Sequence, residues 1–89
     1  MPTYPIATAN LEVRQVGDET IVHDYATDRI HVLNCTAGWV LNACDGSHTA
    51  QEIVHELATV TGTAETRVNE DVVQLLTQFA DLGLVAIGA

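Results

Sequence analysis

The sequence predicts an α+β domain: a small three-stranded antiparallel sheet followed by three helices. Three observations carry this. Up to Leu33, short β-branched segments alternate with turn signals. From Thr36 to Leu82, apolar residues recur mostly at helical spacing. Between them, Arg29-Ile-His-Val-Leu-Asn-Cys-Thr-Ala37 passes from one pattern to the other with no linker, so Asn34 marks the point where strand gives way to helix.

Residues 1–10 read as an extended lead-in, because Pro2 and Pro5 forbid regular helix there. The domain proper is residues 11–89. Leu11 to Val16 alternates between two faces and reads as an edge strand, closed by the turn signal Gly17-Asp18. Thr20 to Asp24 is a second strand. Tyr25-Ala-Thr-Asp28 suits a four-residue hairpin loop. Ile30 to Leu33 is the third strand of an antiparallel meander. With three strands, both outer ones are edges that offer unpaired N–H and C=O groups.

The first helix is expected from about Thr36 to Cys44. It is apolar nearly all round, which marks a buried helix, and Asp45-Gly46 stops it. The second opens with Thr49-Ala-Gln-Glu52, the capping-box spacing, and carries the stripe Ala50, Ile53, Val54, Leu57 and Val60 before Thr61-Gly62. The third runs from about Ala64 to Leu82, with Thr63 as its expected cap. At 100° per residue, Val68, Val72, Leu75, Leu76, Phe79 and Leu82 fall within roughly 120° of arc. Asp71 sits at the margin of that stripe, and Gln74 and Asp81 take the far side. Gly83 ends the helix, and Leu84-Val85 returns as a short extended piece. Three helices beside a small sheet resemble a winged helix-turn-helix.

Composition narrows the function. Hydrophobic content of 47 % can build a core. Twelve acids against three arginines, with no lysine, give a net charge of −9. Phosphate neutralisation supplies most non-specific nucleic-acid affinity, so the charge opposes the nucleic-acid-binding regulator that a winged helix otherwise allows. The N-terminus has no signal-peptide pattern and no segment is long and apolar enough to span a membrane, so the expected setting is the cytoplasm.

No motif supports catalysis. His23 and His31 lie on consecutive strands and could sit close across the hairpin, but a third metal ligand is not evident. Cys44, Asp45 and His48 match no metal-binding spacing. Cys35 and His31 stand too far apart on a strand to form a nucleophile and base. If Cys35 and Cys44 share one helix, about 13 Å separates them, beyond disulfide reach. No cofactor motif occurs, and no cofactor is expected.

Val32-Leu-Asn-Cys-Thr-Ala37, Cys44-Asp-Gly-Ser-His-Thr49, Glu52-Ile53, Leu57, Asp71-Val72 and Leu82-Gly-Leu84, in this order and spacing, resemble the PqqD family. These are small peptide chaperones, also called RiPP recognition elements, that serve ribosomal peptide modification. The resemblance implies a non-catalytic domain that binds the leader of a precursor peptide. The leader would add as a strand to Arg29, Ile30, His31, Val32, Leu33 and Asn34, beside a groove walled by Val68, Asp71, Val72 and Leu75. The implied partners are the precursor and a modifying enzyme, often a radical SAM protein. The open edge allows a monomer or an edge-paired dimer.

Overall fold

The structure, a computed structural model, describes residues 4–87. The chain order is β1 (Ile6–Ala7), β2 (Leu11–Val16), β3 (Glu19–Asp24), β4 (Arg29–Leu33), α1 (Cys35–Ala43), α2 (Ala50–Thr61), α3 (Glu65–Asp81) and β5 (Val85–Ala86). Strands β2, β3 and β4 form an antiparallel sheet in that order, and the α+β architecture is the one the sequence predicts. Residues 1–3 of the expected lead-in, and 88–89 at the other end, lie outside the described residues.

Register decides the two faces of the sheet. Asp24 pairs with Arg29 across the four-residue loop, which fixes Val22 against His31 and Thr20 against Leu33. Directly paired residues share a face. Thr20, Val22 and Asp24 are buried toward the helices, so Arg29, His31 and Leu33 lie on that inner side. Ile30 and Val32 take the outer side. His23 pairs with Ile30 and therefore also faces outward. The expected approach of His23 to His31 does not occur, because the register puts them on opposite faces.

The helices cover the inner face. Val22, Val40, Leu41, Ile53, Val72, Phe79 and Leu84 form the centre of the core, each at most 2 % exposed. Helix α1 lies close on β3 because residue 38 is glycine: a Cβ there would collide with the Thr20 side chain. Thr20 is itself satisfied, donating from Oγ1 to Gln15 Oε1 at 2.9 Å.

Caps set the helix limits. Asn34 caps α1, with Oδ1 accepting from the Ala37 N–H at 2.8 Å. Thr49 and Glu52 form the predicted capping box at α2, and Gly62 ends it in the left-handed conformation. Helix α3 differs from expectation: its N-cap is Ala64, with no side-chain hydrogen bond, so Thr63 does not cap it. Its C-terminus is a Schellman motif, in which Leu84 N–H donates to Phe79 O at 2.8 Å and Gly83 N–H to Ala80 O at 3.1 Å. Gly83 takes φ +75° there.

Two expected core residues are on the surface. Val60 is 69 % exposed, its place in the core of α2 taken by Ala58, and Leu82 is 43 % exposed. The lead-in also does more than extend. Ile6 and Ala7 pair with Ala86 and Val85, and Ala7 N–H donates to Cys44 O at 2.8 Å. Strand β1 thus ties the end of α1 to β5.

Candidate functional site

Among the described residues, one side of β4 has no partner strand. The sheet ends there, so the backbone groups of Arg29–Leu33 that point away from β3 are unpaired within the sheet. Strand β4 runs directly into Asn34, and Asn34 forms one wall of an open groove of about 370 Å³. The other walls are Thr36 from α1 and Asp71, Gln74, Leu75 and Gln78 from α3. A second hollow of about 270 Å³ continues it past Thr36 and Asp71 to Arg67, Val68, Leu57, Thr61 and Thr63. Free edge and groove therefore make one track, joined at Asn34.

The flank of α3 explains this lining. At about 100° per residue, Val68, Val72, Leu76 and Phe79 occupy one side of the apolar arc, and Leu75, Asp71, Gln78, Arg67 and Gln74 follow round the other. The first four are buried at 5 % or less. The second set borders the groove, with Leu75 half-buried as its apolar floor.

Of the residues predicted for the site, Ile30 and Val32 are 66 % and 59 % exposed on the outer face of β4. Arg29 is exposed at the start of the strand, and His31 and Leu33 are half-buried on the inner side. Asn34, Asp71 and Leu75 line the groove, and Val68 lines its continuation. Val72 does not reach it: it is 0 % exposed and belongs to the core. Thr36, Gln74 and Gln78 are groove residues that the sequence reading missed. Gln74 and Gln78 lie three and seven residues beyond Asp71, and that spacing was the available signal.

The groove is polar, with Asp71 in its wall and Arg67 in its continuation as the charged side chains. Asp71 has no ion-pair partner among the described residues, nor do Arg29 and Arg67; Arg14 pairs with Glu12 at 3.0 Å. Such a lining holds hydrogen-bonding backbone and side chains around one apolar contact at Leu75.

The remaining chemistry-bearing side chains are engaged elsewhere. His23 contacts Asp28 at 3.2 Å and stacks on Tyr25, whose hydroxyl donates to Glu12 at 2.8 Å. That hydrogen bond raises the Tyr25 pKa above the ordinary phenol value. Asp45 accepts from the Ser47 hydroxyl and N–H, which lowers its pKa. Burial pushes the Cys44 thiol up to about 11. Cys35, by contrast, is an exposed free thiol. Among the described residues, no three His, Cys, Asp or Glu side chains are grouped to hold a metal ion, and no helix is long and apolar enough to cross a membrane.

Comparison with known proteins follows the same outline. The family model described as coenzyme PQQ synthesis protein D (PqqD) matches residues 19–85. Among curated proteins, none matches. Two solved structures share the fold. One, described as TbiB1 in complex with the TbiA(beta) leader peptide, has a TM-score of 0.83 at 15% identity, covering 94% of this chain and 98% of that one. The other, described as lasso peptide synthetase B1 complexed with the leader peptide, has a TM-score of 0.80 at 17% identity, covering 93% and 98%.

Proposed function

The chain belongs to the PqqD family, and from that premise we propose that it is a non-catalytic peptide chaperone that binds the leader of a ribosomally made precursor and presents it to a modifying enzyme. The observation that carries this reading is the track at Asn34: an unpaired strand edge that opens directly into a groove against α3. Both fold relatives are described as complexes with leader peptides, which supports the same reading.

The mechanism is strand addition. The leader pairs along Arg29 to Leu33 as a fourth strand, so main-chain hydrogen bonds supply affinity whatever its sequence. Side chains supply the choice of leader: those turned inward meet His31, Leu33 and the groove bordered by Asn34, Thr36, Asp71, Gln74, Leu75 and Gln78. Holding the leader leaves the attached core free for the partner enzyme, such as a radical SAM protein. The domain itself supplies no reacting group. The setting is the cytoplasm, where the precursor is synthesised. A second copy could pair at the same edge, so leader binding and edge dimerisation compete. The net charge of −9 opposes a nucleic-acid partner.

Titration of the 15N-labelled chain with synthetic leaders of neighbouring precursor genes tests this. Amide shifts are expected along Arg29–Asn34 and Asp71–Gln78, and a proline at Ile30 or Val32 should weaken binding while the chain stays folded. Folded proline variants that bind normally would rule out strand addition.

A further inference from the structure

We propose that the outer face of β4 also reads the leader: Ile30 and Val32 select two apolar side chains, two residues apart, on the outward side of the guest strand. The inference rests on strand addition at β4. On the outer face, register aligns Arg14, Ile21 and Val32 in one row and Glu12, His23 and Ile30 in the next. The inner members of these rows are covered: Ile21 and His23 are half-buried, and Tyr25 stacks over His23 with ring centroids 4.2 Å apart. The rows end at the free edge on Val32 and Ile30, 59 % and 66 % exposed.

A guest strand extends each row by one residue. Its side chains opposite Val32 and Ile30 would come within about 5 Å, Cβ to Cβ, of these two. Because strand side chains alternate, the two outward guest residues are separated by one that points into the α3 side. β-Branched or aromatic residues fit the outward positions, since they pack best against Ile and Val across a ladder. Charge disfavours acids there: Asp28 lies against His23 at 3.2 Å, next to Ile30 in its row, on a chain of net charge −9.

The test is selection of a display library of randomised strand-length peptides on the full wild-type chain and on an Ile30→Thr/Val32→Thr variant, each checked for folding by circular dichroism. Both positions are surface-exposed, and Ile30→Val/Val32→Ile serves as a conservative control. The wild type and the control should enrich peptides with apolar β-branched (Ile, Val) or aromatic residues at positions i and i+2. The threonine variant should lose that preference and bind the wild-type winners roughly tenfold more weakly. Persistence of the preference, or unchanged affinity, in the threonine variant overturns the proposal. Winners that protect the β4 amides from hydrogen exchange without an outward preference would sink this inference alone. Winners that leave those amides unprotected, or a selection that yields none, would sink strand addition with it. A wild-type dimer that the threonine variant converts to monomer, seen by sedimentation without peptide, would assign the face to a second copy and equally overturn the proposal.

Discussion

Asn34 Oδ1 accepts a hydrogen bond from the Ala37 N–H at 2.8 Å. The same residue that follows the edge strand β4 thus caps α1 and walls the groove. Removing the side chain should act on both stability and binding. Asn34→Ala is expected to cost about 1 kcal/mol of stability, as cap losses do. For a domain of this size that lowers Tm by roughly 4–8 °C. Asn34→Asp keeps an acceptor at the same place and should stay near wild type in thermal unfolding. Both variants should bind leader more weakly than wild type if the carboxamide also contacts the guest.

Val72 and Leu75 separate core from groove on one helix. Val72 is 0 % exposed, whereas Leu75 borders the groove. Val72→Ala should lower stability by about 2 kcal/mol through loss of buried methyl groups, and leave the affinity of the folded chain unchanged. Leu75 is half-buried against the core, so Leu75→Ala should also lower Tm but, unlike Val72→Ala, weaken leader binding of the folded chain several-fold. Calorimetry of unfolding and of binding on the two variants reads both quantities.

The capping box makes stability depend on pH with a defined sign. Thr49 N–H donates to Glu52 Oε1 at 2.8 Å, and this bond, reinforced by the Thr49 side chain, holds the Glu52 carboxyl below its ordinary value. A lowered folded-state value contributes stability above the unfolded value, and that contribution fades as pH falls through the folded one. The urea midpoint of wild type should therefore exceed that of Glu52→Gln most at neutral pH. The difference should shrink under acid conditions. A difference that grows with acidity would contradict this sign.

The two cysteines should differ in reactivity. Cys35 is exposed, while Cys44 is 2 % exposed, donates from Sγ to Val40 O at 3.2 Å and has its pKa pushed up to about 11. The thiolate is the reactive form. At mildly alkaline pH a thiol reagent should modify Cys35 promptly and Cys44 only as the chain unfolds. Mass spectrometry of the labelled peptides in increasing urea checks this.

Much of the fold was legible because its signals are local. The Thr49-to-Glu52 spacing, the left-handed Gly62 and the loop between Asp24 and Arg29 each sit within a few residues of what they determine. Strand β1 was not legible, since Ile6 and Ala7 gain strand character only from Val85 and Ala86 at the other end of the chain. Nor was the division of the α3 stripe: periodicity finds the apolar arc, but which flank is buried depends on where α1 and the sheet lie. The family resemblance implies Val72 as groove wall and periodicity sets Gln74 on the solvent side, whereas the packing buries Val72 and brings Gln74 to the groove. His23 and His31 are a different case. The four-residue loop already implied their register, with Asp24 opposite Arg29 and hence Val22 opposite His31. The outer edge strand is legible in the sequence, and Asn34, Asp71 and Leu75, which the family resemblance implies for the site, line the groove. Thr36 needed the packing of α1 against α3, whereas Gln78 shares the helical face of Asp71.

Hydrogen exchange at β4 tests strand addition most directly. In the free chain, the outward-pointing amides among Arg29–Leu33 have no ladder partner and should exchange quickly. Saturation with leader peptide should protect those amides and leave the surface amides around Val60 unchanged. If the bound chain shows no added protection along Arg29–Leu33, the leader does not pair with this edge, and the account is wrong.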